Sequence, residues 1–273
     1  MIEKWKYYCG GSALLAWLTL GLVAVWLAVT LLALVGRLAG TYIPVADWLT
    51  LPSLFSLFLS RPWTLLTYMA VHFEVLHMLF NVLWLYWFGR IMLLTLTDRH
   101  LAFAFVGGGI AGGLLFLASA ALGYGYGWLC GCSAAVIAVM CATALRLPDH
   151  PVHLFLIGEV KLKWVAVACC LLTFLGGGGN QAAHIGGLLW GVAMGLMLRN
   201  GTDPTVLIRR TAGPNRKREP LRSADRMVRI MKDRQADIRR LDELLDKIRL
   251  SGYGSLTARE RKELNEISSR IKK

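Results

Sequence analysis

An all-α, polytopic membrane protein is encoded by this 273-residue chain: a six-helix transmembrane bundle followed by a small cytoplasmic helical hairpin. Hydrophobic residues make up 56% of it and mean hydropathy is +0.51, both above the soluble range. The apolar surplus is gathered into six runs, and a helix crossing the hydrocarbon core needs about 20 predominantly apolar residues. Charge is gathered elsewhere. Residues 199–273 hold 21 basic and 11 acidic side chains, a net of +10, whereas 9 basic and 6 acidic side chains leave the first 198 residues at +3.

The first run, Leu14–Val35, contains no charged residue. A cleaved signal peptide would have a shorter core and a small-residue cleavage site, whereas this run is long and ends at Gly36-Arg37, so it reads as a retained helix. The loop Gly40–Thr64 spaces Trp48, Leu51, Leu54, Phe55, Phe58 and Leu59 as one face of a helix lying in the outer interface; an ordinary packed loop with core-facing aromatics fits the same stripe. Further spans are expected at Val71–Gly89, Leu101–Leu122, Trp128–Leu145, Leu162–Leu175 and Ala182–Leu198. The fifth is short, but Lys161 and Lys163 can snorkel at its start and lengthen it.

With a cytoplasmic N-terminus, the inner short segments carry Lys4, Lys6, Arg90, Arg99, Arg146, Lys161 and Lys163, and the outer ones only Arg37 and Arg61. That asymmetry, with the basic tail also inside, places both termini in the cytoplasm. Short outer loops and a cytoplasmic tail suit a bacterial inner membrane.

The membrane part occupies 1–200 and a basic linker 201–235. A hairpin follows over 236–273, where Ile238, Leu241, Leu244, Leu245 and Ile248 recur at helical spacing. Gly252 and Gly254 mark the turn, Thr257-Ala-Arg-Glu260 is a capping box, and Leu264, Ile267 and Ile271 continue a second helix. Basic residues near the inner leaflet attract anionic lipid. Nucleic acid is not an expected partner, because Asp242, Glu243 and Asp246 interrupt the positive face. The six cysteines, Cys9, Cys130, Cys132, Cys141, Cys169 and Cys170, show no paired metal-ligand spacing and read as apolar packing.

Hydrogen-bonding side chains inside a span are costly and mark the bundle interior. Span two carries His72, Glu74, His77 and Asn81; span four carries Ser133 just after Gly131; span six opens with Asn180, Gln181 and His184. All three spans start on the outer side. At about 1.5 Å per residue, Ser133, His77 and His184 lie within roughly 10 Å of that side, at a common shallow depth. A serine, a histidine and further donors there are the parts of a nucleophile–base–oxyanion site, and also of polar glue between helices. His77 and Asn81, four apart, share a helix face and can point at one oxygen. His72 is rotated away by about 140° on such a helix and has another role.

The stretch Arg61-Pro-Trp-Thr-Leu-Leu-Thr-Tyr-Met-Ala-Val-His72-Phe-Glu-Val-Leu-His77-Met-Leu-Phe-Asn81, closed by Gly89, resembles the first-loop and second-span signature of rhomboid intramembrane serine proteases. Gly131-Cys132-Ser133-Ala134 is similar to that family's Gly-x-Ser-Gly. Ala183-His184-Ile-Gly-Gly187-Leu-Leu-Trp-Gly191 is similar to its Ala-His-x-x-Gly-x-x-x-Gly. The resemblance covers about residues 10–200. It implies a Ser–His dyad without a third acid: Ser133 as nucleophile, His184 as general base and then acid, with His77, Asn81 and the backbone N–H groups around Cys132 and Ser133 holding the oxyanion. Its substrates would be transmembrane segments of other membrane proteins, cut near the outer face, with no cofactor. It also gives the first loop its interfacial role, and short helical appendages like this hairpin occur on bacterial members. Gly123, Gly125, Gly127 and Gly131 suit an irregular approach to the fourth helix. Ala134 departs from the family glycine, and its methyl is expected to crowd the sixth span, where Gly187, Gly191 and Gly195 form a small-residue stripe able to absorb it.

Three other classes share parts of this pattern. A zinc protease needs His-Glu-x-x-His, but here the histidines are five apart and Glu74 is displaced by one. Glu74 would instead orient His184 or be solvated at the rim. A small transporter lacks an embedded counter-charge or inverted repeat. A catalytically inactive rhomboid-like protein that binds transmembrane segments without cutting them is the remaining alternative, and the retention of both Ser133 and His184 argues against it.

Overall fold

The computed structural model describes residues 2–124, 127–154, 158–175, 181–206 and 236–271. Gly125, Asn180 and most of the basic linker, 207–235, lie outside the described residues. The chain forms two units, 1–217 and 218–273.

The first unit is a polytopic helical bundle. Helix α1 (Ile2–Tyr8) packs Trp5 beside the next helix, with its Nε1 donating to Thr19 Oγ1 (2.9 Å). Ser12 caps α2 (Ala13–Leu38), its Oγ accepting from Leu15 N. The first loop then breaks into pieces: α3 (Val45–Leu49), strand β1 (Leu51–Pro52), α4 (Phe55–Ser60) and α5 (Thr64–Thr67), which runs on into a 3-10 turn, Tyr68–Ala70. Next come α6 (Val75–Met92), α7 (Asp98–Ala121), strand β2 (Trp128–Leu129), α8 (Ser133–Arg146), the hairpin β3 (Pro151–Leu154) and β4 (Gly158–Lys161), α9 (Leu162–Leu175) and α10 (Gln181–Arg199).

Helices α2, α6, α7 and α10 are long and apolar enough to cross a membrane; α8 and α9 are apolar but 14 residues each. Fourteen residues rise about 21 Å, short of a hydrocarbon core about 30 Å thick. In α8 every residue from Ala134 to Ala144 is buried, so protein rather than lipid surrounds it.

Two span boundaries and the helical reading of the first loop differ from expectation. The fourth span does not start at Trp128. There β2 pairs antiparallel with β1 (Leu51 with Leu129), Gly127 and Gly131 adopt positive φ of 106° and 95°, and Gly131 N–H bonds Tyr68 O (3.0 Å), so the helix begins at Ser133. The second span starts at Val75 rather than Val71, since Val71 and Glu74 are extended, and continues to Met92. Nor is the first loop one amphipathic helix. Leu51 precedes proline, a position that disfavours α backbone, and is buried in the ladder, while Leu54, Phe55 and Leu59 stay exposed on α4. Trp48 stacks on Trp63 (6.1 Å), with Arg61 over its ring (4.4 Å).

Small residues hold the centre. A side chain added at Gly187, Gly191 or Gly195 of α10 would run into Ala134, Ala138 and Leu145 of α8 respectively; Gly112 of α7 lies against Ala134 and Ala183. The backbones of α7, α8 and α10 therefore touch directly. At the far end of α7, His100 Nε2 lies 3.3 Å from Asp203, tying down the segment that follows α10.

In the second unit, α11 (236–251) turns at Gly252 (φ 76°) into α12 (Ala258–Ile271), burying Leu244, Leu256 and Ile267. The capping box forms in both directions: Thr257 N–H donates to Glu260 Oε2 (2.8 Å) and Glu260 N–H to Thr257 Oγ1 (3.2 Å). Arg240 grips Glu263 in a fork, and Lys247 binds Glu260.

Candidate active site

Ser133 and His184 come together. Ser133 is the first residue of α8 and His184 lies on the first turn of α10; Oγ and Nε2 are 2.8 Å apart, a hydrogen bond between a hydroxyl and an imidazole. The glycine contact of Gly187 on Ala134 brings the two helices close enough for this. His184 is buried and Ser133 half-buried. Nδ1 of His184 has no hydrogen-bond partner among the described residues.

His77 packs against the backbone of Gly131, where an added Cβ would come 2.6 Å from its Cε1. His72 joins it, contrary to the expected rotation, because the chain is not helical until Val75. Its ring lies edge-on to His77 (5.1 Å), and its Nε2 accepts the Cys132 N–H (3.3 Å). Cys132 N–H is thereby engaged. The N–H of Ser133, at the first position of α8, has no acceptor among the described residues, as expected where a helix starts. Asn81 is buried one turn along α6 and donates from Nδ2 to His77 O (2.9 Å), which leaves its second amide hydrogen.

Ala134 does not crowd α10 with its methyl. The residue after Ser133 is turned about 100° around α8, so the methyl faces α7: a Cβ added to Gly112 would lie 2.6 Å from it. Toward α10 it is the backbone of Ala134 that Gly187 accommodates, and Gly191 does the same at Ala138. Glu74 is exposed at the N-cap of α6 and makes no capping bond. Among the described residues no group of three His, Cys, Asp or Glu side chains converges as a metal site.

Two neighbours escaped the sequence reading. Tyr68 is fully buried, its hydroxyl on Gly109 O (2.8 Å) and its carbonyl on Gly131 N–H, so it steadies the turn before Ser133. Phe174 of α9 lies edge-to-face with His184, ring centroids 6.2 Å apart. Phe174 carries no sequence signal, being an aromatic within an apolar run, and Tyr68 stands in the quoted signature stretch without anything to mark its role.

Comparison with known proteins gives the family. The Rhomboid domain family model matches residues 59–201, just over half of the chain, and a family of unknown function, DUF6576, matches 229–270. The rhomboid protease GlpG of Yersinia pseudotuberculosis serotype I (strain IP32953) is 29% identical over 191 residues, 69% of this chain; the chain spans 65% of that protein's length. Since the matched region takes in α6 to α10, and with them Ser133, His184, His72 and His77, this multi-pass membrane protein belongs to the rhomboid family.

Proposed function

We propose that the protein is an intramembrane serine endopeptidase that cleaves transmembrane segments of other membrane proteins with Ser133 as nucleophile and His184 as base. The observation that carries this is the 2.8 Å contact between Ser133 Oγ and His184 Nε2 inside an apolar bundle. Ser133 Oγ attacks the scissile carbonyl carbon as His184 Nε2 takes its proton, and the imidazolium then returns that proton to the leaving amine. Water repeats the sequence on the acyl-enzyme. The oxyanion is met by the Ser133 N–H at the positive end of α8, with the His77 ring and the remaining Asn81 amide hydrogen as further donors. Cys132 enters only through His72, which holds its N–H.

Six spans with both termini cytoplasmic follow from the distribution of basic residues, with α8 and α9 as the two short spans. Ser133, at the start of α8, then lies toward the outer face, where a substrate helix can unwind and water can reach it. The basic segment after α10 would sit against anionic lipid.

The test is labelling of the solubilised protein with a fluorescent fluorophosphonate. Label that appears in the parent and disappears in Ser133→Ala and His184→Ala is expected. A folded parent that takes no label beside a labelled active rhomboid would overturn the protease reading and leave a binder of transmembrane segments.

A further inference from the structure

His184 engages Ser133 through one ring nitrogen, and its buried Nδ1 has no hydrogen-bond partner among the described residues. In a triad, an acid on that nitrogen fixes the ring's orientation. Among the described residues packing takes that part. The aromatic ring found against it is Phe174, at 6.2 Å and an interplanar angle of 84°, the edge-to-face arrangement that aromatic pairs favour.

Phe174 stands on a helix that is unevenly attached. The buried residues of α9, Leu162, Val165 and Ala166, all lie in its first two turns, where Lys163 also binds Asp149 (3.1 Å). Halfway along, Cys170 Sγ meets Cys141 Sγ of α8 at 3.9 Å. Beyond that, Leu171, Leu172 and Leu175 are exposed by 55%, 70% and 79%, while Phe174 is half-buried and its carbonyl accepts from Gln181 Nε2 of α10 (3.4 Å). The far turns of α9 thus meet the beginning of α10 at Phe174, whose carbonyl partner Gln181 lies three residues before the base.

We propose that Phe174 is a positioning residue for His184, so that the base is aligned on Ser133 only while the far turns of α9 lie against α10. The inference rests on the Ser133–His184 reading. It makes the orientation of the base depend on a weakly packed part of the bundle, and it assigns to an apolar side chain the role that a third acid plays in a triad.

Saturation kinetics of fluorophosphonate labelling on the full chain test it, comparing the parent with Phe174→Ala, Phe174→Leu, Phe174→Tyr, Ser133→Ala and His184→Ala. Loss of ring alignment reduces the maximal labelling rate constant by about tenfold, part of the 10²–10⁴ that a positioned base contributes, without changing the half-saturating concentration. Phe174→Ala is expected to show that pattern, Phe174→Tyr to return near the parent, and Phe174→Leu to stay low. If Phe174→Ala does not fold, the contrast between Tyr and Leu decides. Parental labelling in Phe174→Ala, or equal rescue by Leu and Tyr, overturns the positioning role while His184→Ala stays unlabelled. Label retained in His184→Ala would instead overturn the dyad beneath it.

Discussion

Replacing Gly187 with alanine should separate the nucleophile from the base without touching either. The new Cβ would run into the Ala134 carbonyl oxygen and lie 2.7 Å from its carbonyl carbon and 2.8 Å from its Cα. Carbon atoms rest about 3.5–4.0 Å apart, so the deficit is roughly 0.8 Å. All three obstructing atoms are backbone and cannot swing aside, so α10 must withdraw from α8. Ser133 adjoins Ala134, and His184 lies one turn before Gly187, so most of that movement reaches their 2.8 Å contact. It would lengthen to about 3.6 Å, no longer a hydrogen bond. Overpacking of this kind costs about 1–3 kcal/mol of stability, and a misplacement near 1 Å costs on the order of 10²-fold in rate. The assay pairs fluorophosphonate labelling with thermal unfolding in detergent. Gly21→Ala is the control, because nothing lies within 4 Å of a Cβ at that position on α2. If Gly187→Ala labelled within about threefold of the parent, the claim that this glycine sets the Ser133–His184 distance would be refuted, whatever its melting temperature.

Ala134→Gly should leave labelling near parental, because the methyl is housed over Gly112 of α7, and should cost about 1 kcal/mol for the buried methyl lost; a large gain in labelling would show that the methyl does obstruct the site. His72→Ala removes the acceptor of the buried Cys132 N–H, at about 1–3 kcal/mol, so a lowered melting temperature and slowed labelling are expected, and an unchanged melting temperature would discount that bond. In the hairpin, the Lys247 ammonium first, and then the Thr257 capping bonds, hold the Glu260 carboxyl down to about 2, against an ordinary 4.5. A depressed carboxyl stabilises the folded form above its unfolded value, so this contribution is complete above pH 4.5 and is lost as pH falls toward 2. Amide exchange of 236–271 in the whole chain, corrected for intrinsic rates, should therefore accelerate between pH 6 and pH 3, and by less in Glu260→Gln; equal protection at both pH values counts against the ion pair.

What could be read from the sequence was what membrane physics makes expensive. A serine or histidine inside an apolar run carries a cost that demands a partner, so Ser133 and His184 stood out and the structure joins them. Long apolar runs announce helices for a related reason, and α2, α7 and α10 fall within a few residues of expectation. Trp128–Leu129 differs from expectation because an apolar strand and an apolar helix turn look alike over a few residues. Its strand state is decided by Leu51 and Pro52, distant in the chain, and by the positive φ at Gly131. The same error hid the role of His72: a rotation computed on a helix is meaningless where the backbone is extended, and the extended stretch folds His72 back onto Cys132. Ala134 shows the complementary limit, since helical periodicity gives the direction of its methyl relative to Ser133 but not which helix waits there. Phe174 marks the far end of that scale. An apolar ring in an apolar helix costs nothing wherever it points, so only the packed structure shows it turned toward His184.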